Sequence, residues 1–124
     1  MFRILRPGGR AIIGVPFLYG LHEEPHDYYR YTRHRLLAFA AEHRFEVVSL
    51  VETGGPIDVI HDIGCKVLAK IPVALQLYYY GTRGLRTLLS SLNRRAGRYF
   101  PLGYMIVVGK PGDASQAASQ PQQA

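Results

Sequence analysis

An α/β fold is predicted from three features: an apolar run without alternation at residues 11–15, a helical apolar spacing after Thr32, and a second apolar run at residues 45–53. The first strand is announced by "LRPGG", where Pro7 presets its backbone angle and Gly8 and Gly9 tolerate a turn. Ala11, Ile12, Ile13, Gly14 and Val15 then follow without a polar break, which suits a strand covered on both faces as in a parallel sheet, with a neighbour on each side. Thr32 is a fair N-cap, and Leu36, Phe39, Ala40 and His43 recur at helical spacing, so residues 33–43 are expected to be helical. "FEVVSLVET" reads as the next strand, closed by Gly54, Gly55 and Pro56. A last short strand is expected in "GYMIVVGKP", bounded by Gly103 and Pro111.

Residues 56–100 have a different character and read as a helical insertion between two strands that would otherwise form a hairpin. Ile57, Ile60, Ile63, Val67 and Ile71 repeat at three and four, which predicts a helix that Pro72 stops. A second helix is expected from Thr82, with Leu85, Leu88, Leu89 and Leu92 on one side and Arg83, Arg86, Arg94 and Arg95 elsewhere. Residues 1–111 are therefore one expected domain. The small, polar stretch "GDASQAASQPQQA" at 112–124 cannot bury enough apolar surface to order itself and is expected to be a disordered tail.

Composition narrows the setting. At 124 residues and 48% hydrophobic, with nine tyrosines and five phenylalanines, the chain can build one small core. Its single cysteine, Cys65, allows no internal disulfide, which points to a reducing, cytoplasmic compartment. The beginning "MFRILRPGG" lacks the apolar core of a signal peptide. "VLAKIPVALQLYYYG" is interrupted by Lys70, Pro72 and Gln76 and falls short of the roughly 20 residues a spanning helix needs. The formal net charge of +6 is concentrated in the insertion, where Lys66, Lys70, Arg83, Arg86, Arg94, Arg95 and Arg98 face only Asp58 and Asp62. Such a region either is a solvated face or meets an anionic surface or substrate. No nucleic-acid motif accompanies it.

The stretch "HEEPHDYYRYT" at 22–32 concentrates the chemistry. It lies in a connection between strand and helix running from Phe17 to Tyr31, far longer than the usual 2 to 6 residues. Loops at the carboxyl ends of strands in open α/β sheets are where ligands bind. His22, Glu23 and His26 match the spacing of a zinc-peptidase H-E-x-x-H motif, but Pro25 lies inside it, where a helix loses an amide donor at about 3 kcal/mol. No third ligand motif follows, so no metal is assigned.

Taken in order, "LRPGGRAIIGVPF", "HEEPHDYYRYT", the helix ending in "HRFEVV", then "GG" and "FPLGYMIVVGKP" resemble the carboxyl-terminal half of a class I S-adenosylmethionine-dependent methyltransferase of the type 11 group. Residues 3–55 and 99–111 carry the resemblance. It implies a partial Rossmann-like sheet made of the equivalents of strands five, six and seven, the seventh inserted antiparallel between the other two. Arg44 stands where the family usually has a glycine that ends the helix in a left-handed turn, at roughly 1 kcal/mol. The family's donor-binding elements precede the matched region, and no G-x-G-x-G follows a strand here. The resemblance therefore implies S-adenosylmethionine as cofactor of the full-length family but none bound by this chain alone. The first strand's outer edge would lie open, so Met1 is expected to be an internal start, or a partner chain to supply the front half.

By the same resemblance the loop lines the acceptor side of an active site, for a small-molecule, sugar or lipid-linked acceptor. His22 or His26 would take a proton from an acceptor hydroxyl or bind it. Asp27 and Arg30, three apart, would order the loop, and Tyr19, Tyr28 and Tyr31 would bind a ring or sugar face. In the plainer alternative Asp27 and Arg30 only lock the loop while the tyrosines pack. The insertion would cover the acceptor pocket as a lid. Alternatively, the chain is a noncatalytic basic module docking on a protein partner or peripherally on a membrane, through amphipathic helices and Tyr78, Tyr79 and Tyr80.

Overall fold

The structure, a computed structural model, describes residues 2–112. The tail expected at 112–124 lies, apart from Gly112, outside the described residues. The chain is mixed α/β, with β1 Arg10–Pro16, α1 Arg33–Glu42, β2 Glu46–Thr53, α2 Pro56–Leu68, α3 Pro72–Leu88, α4 Ser90–Gly97 and β3 Gly103–Gly109. The strands form one sheet in the order β1-β3-β2.

Backbone bonds fix the strand directions. At one end of β3 the Gly8 amide donates to Lys110 O at 2.9 Å and the Lys110 amide to Gly9 O at 2.8 Å. At its other end the Phe17 amide donates to Leu102 O at 2.9 Å, and the Leu102 amide to Thr53 O at 3.0 Å. β3 is thus antiparallel to both neighbours, so β1 and β2 run the same way without pairing. This corrects the expectation of a parallel arrangement around β1. Its exposure alternates along the strand, with Ile12 at 70%, so it is not covered on both faces; among the described residues it pairs with β3 alone. The described residues supply no layer over that face. β3, paired on both edges, is the strand that is buried nearly throughout.

Two compact units divide the described residues. The first comprises residues 2–14, 31–51 and 105–112. Here α1 begins where expected, with the Arg35 amide donating to Thr32 Oγ1 at 3.2 Å. It ends one residue earlier than the apolar pattern suggested, His43 being the C-cap. The Phe45 amide donates to Ala40 O at 2.8 Å and the Arg44 amide to Ala41 O at 3.0 Å, the paired bonds of a Schellman turn. That turn needs a left-handed residue, and Arg44 takes φ 59°, so the turn is not shifted by the absence of glycine. Leu36, Ala40, Phe45, Ile106 and Val108 form the buried apolar set of this unit. Phe2 meets Phe45 edge-on at 5.2 Å, under the Lys110 ammonium at 4.8 Å.

The second unit comprises residues 15–30 and 52–104. α2 packs against α3 and α4, and α3 against α4. α2 ends at Leu68, before the expected stop at Pro72 and without Ile71, and Pro72 opens α3, so residues 73–81 are helical and the second helix begins ten residues before the expected Thr82. The reason is that proline at the first helical position has no amide to lose and its φ is already set. Leu89 then separates α3 from α4. Gly64 lets α2 and α3 approach, since a Cβ there would lie 2.4 Å from the Tyr78 ring.

Candidate functional site

The long connection after β1 is held by one arginine. Arg30 makes a two-pronged pair with Asp27, Nη1 to Oδ1 and Nη2 to Oδ2, the latter at 2.6 Å. Nη2 also reaches Tyr19 O at 3.3 Å and Nη1 reaches Tyr29 O at 3.2 Å. A planar guanidinium offers this fork of donors, which lysine lacks. Arg30 beside Asp27 holds the carboxyl down at about 2 against the pull of burial, with His22 adding to the effect. The segment from His22 to His26 is not helical and contains a cis Glu24–Pro25 bond, so the two histidines do not share a helix face.

His22 sits on this frame. Its Nδ1 lies 3.3 Å from Asp27 Oδ2 and 3.3 Å from Gly20 O. Both neighbours are acceptors, so Nδ1 carries the hydrogen and Nε2 of the neutral ring is left as the basic atom. The Tyr19 ring meets His22 edge-on at 5.2 Å, and its face takes the Lys66 ammonium at 3.7 Å. Lys66 belongs to α2 and is itself paired with Asp62 at 2.5 Å, so the insertion touches the loop through this lysine.

Of the residues singled out by sequence, Tyr19, His22, Asp27 and Arg30 thus form one cluster. His26 instead faces Tyr28, with Nδ1 3.1 Å from the hydroxyl, and both are exposed. Tyr31 is half-buried and belongs to the other unit, at the start of the segment leading into α1.

Two clusters in the insertion escaped sequence reasoning. In the first, Asp58 Oδ2 accepts from the Gly55 amide at 3.0 Å and from Asn93 Nδ2 at 2.5 Å, while Oδ1 accepts from Arg86 Nη2 at 2.8 Å. Burial raises the Asp58 carboxyl, but the Arg86, Asn93 and Gly55 bonds outweigh it and the net displacement is downward. Asn93 returns through Oδ1 to the Ile57 amide at 2.9 Å, tying α4 to the first turn of α2. In the second, Thr82 Oγ1 donates to Tyr78 O at 2.7 Å and so accepts from His61 Nδ1 at 3.2 Å. His61 Nε2 is then the acceptor for the Cys65 thiol at 3.6 Å. Burial, and then the Arg86 charge, push His61 below its ordinary value, against the opposing pull of Asp58 and Asp62. The trio ties α2 to α3 through His61 and Thr82.

Among the described residues no group of three or more His, Cys, Asp or Glu side chains is placed to hold a metal ion. No helix among them is long and apolar enough to cross a membrane. Comparison of the chain with protein-family models, with curated proteins and with solved structures gives no match in any of the three.

Proposed function

We propose that the chain carries the acceptor-side portion of a class I S-adenosylmethionine-dependent methyltransferase, acting on a small-molecule, sugar or lipid-linked acceptor. The observation that supports this most is the path of the sheet: β1 and β2 point the same way, joined through α1, and β3 runs antiparallel between them. The resemblance in "LRPGG" and the loop after β1 implies that arrangement for the end of such a sheet. The loop's role is to hold the acceptor and remove its proton. His22 does the latter through Nε2, with Asp27 fixing the ring's tautomer and Arg30 fixing Asp27. The plainer reading, a locked polar loop, explains Asp27 and Arg30 but leaves an exposed, carboxylate-backed histidine without a task.

The methyl donor does not fit the described residues. The junction of β2, Gly54, Gly55 and α2 is a strand, glycine turn and helix start, the kind of place that seats a nucleotide. It is already filled: a Cβ at Gly55 would lie 2.3 Å from Asn93 O, and Asp58 occupies the Gly55 amide. No step of methyl transfer is therefore assigned to the donor here. Calorimetry with S-adenosylmethionine tests the reading on this chain and on a version extended upstream in its reading frame. Binding by the extended protein only is expected, and His22→Ala should then lower its kcat by about 100-fold or more. Saturable binding by the short chain, or none by the long one, overturns the proposal.

A further inference from the structure

A cleft of about 620 Å³ opens among the three helices of the insertion, lined by Tyr79, Arg83, Arg86 and Thr87 of α3, by Ser90, Asn93 and Arg94 of α4, and by Asp58. The spacing explains the lining. Residues 79, 83, 86 and 87 fall at i, i+4, i+7 and i+8, one face of α3, and 90, 93 and 94 share one face of α4. Three guanidinium groups thus meet one carboxylate. Asp58 engages Arg86, whereas Arg83 and Arg94 have no acidic partner among the described residues. The Thr87 hydroxyl is spent on Arg83 O at 3.1 Å, but the Ser90 hydroxyl has no acceptor among the described residues. Two unneutralised arginines and a free hydroxyl in one concavity suit a phosphoryl group, whose oxygens accept from both kinds of donor.

The rest of α3 says what that phosphoryl group is attached to. Val73, Leu77, Tyr80 and Leu88 form a row about a third of a turn round the helix from the cleft face, and each is between 67% and 77% exposed. A soluble phosphate ester would leave this row idle. An amphiphile uses both features, its headgroup in the cleft and its chains against the row.

We propose that the α3–α4 cleft is a binding site for the phosphate headgroup of an anionic lipid, with the exposed row of α3 lying in the membrane interface. The site stands independently of the methyl-transfer reading. Its polarity is that of a surface-seated helix, apolar residues inward and arginines flanking at headgroup level.

Vesicle flotation of the full chain tests it, with phosphatidylcholine alone and with phosphatidic acid added. Binding should require phosphatidic acid, and Arg83→Gln with Arg94→Gln should lower the partition coefficient about 30-fold, the worth of two arginines at an anionic surface. Lys70→Gln with Arg95→Gln removes the same charge from side chains that do not line the cleft and should cost less than the cleft pair. Leu77→Ser with Tyr80→Ser should also release the chain. Equal losses from the two charge pairs would show general attraction and overturn the site. So would binding to phosphatidylcholine alone, indifference to the apolar substitutions, or glycerol 3-phosphate binding in calorimetry as tightly as the vesicles do. Far-ultraviolet circular dichroism confirms that each variant is folded.

Discussion

Asp58→Ala should unlock the insertion, because one carboxylate serves three donors from three parts of it. Oδ2 caps the start of α2 through the Gly55 amide and holds Asn93 of α4, and Oδ1 holds Arg86 of α3. The cap is worth about 1 kcal/mol. Asn93 is only 8% exposed, so stranding its amide costs about 1–2 kcal/mol. Arg86 is 35% exposed at its side chain, which screens its share to about 0.5 kcal/mol. Together the loss is about 3 kcal/mol, a large part of a small domain's stability. Asp58→Asn keeps an acceptor for Gly55 and should cost about 1 kcal/mol. Urea unfolding followed by circular dichroism measures both. The carboxyl is displaced below 3.8, so its contribution is complete above that value and fades as pH falls through the lower folded one. Asn93→Ala also frees the Ile57 amide, and in the double variant the two losses should overlap by at least about 1 kcal/mol. Strict additivity, or an Asp58→Ala loss under about 0.5 kcal/mol, would refute the idea of a shared lock.

Arg44→Gly should stabilise the chain by about 0.5–1 kcal/mol in the same assay, because φ 59° is costly for arginine and free for glycine. His61, displaced below 6.5, makes the unfolded chain the better proton binder, so stability is complete above that pH and falls as pH drops through it. The melting temperature should therefore decline between neutral and mildly acidic pH, and His61→Gln should flatten that slope. Asp27, at about 2 against 3.8 unfolded, should keep the loop ordered down to about pH 4 and release it as pH falls toward 2. Asp27→Asn should reproduce this release at neutral pH as faster amide exchange over residues 19–30.

Local signals carried much of this architecture. Thr32, the i, i+3 and i+4 apolar spacing behind it, and the glycines at 54 and 55 are short-range devices, and α1 and β2 formed close to where they pointed. Pro72 was ambiguous because proline can stop one helix as well as open the next, and Gly81 and Gly84 further masked the continuity of α3. The two-sided covering expected for β1 came from its apolar run, but burial depends on what stands opposite, and nothing in residues 11–15 records that. At the loop, the spacing of Asp27 and Arg30 was enough to suggest their pair. That His22 and not His26 would join them follows from how the loop bends, which spacing does not encode. The cleft was hidden for a related reason: Asp58, Arg83 and Arg94 are far apart in sequence and share a wall only after three helices pack.

The position of β3 in the sheet sets a timetable. Among the described residues, β1 and β2 each find their strand partner only in residues 103–109, which follow both of them in the chain. Pairing of these three strands must wait for residues 103–109, with long chain closures from β1 and from β2, which is a slow kind of folding. A chain stopped at residue 102 would retain helices and lose the ladders of β3 with both β1 and β2 at once.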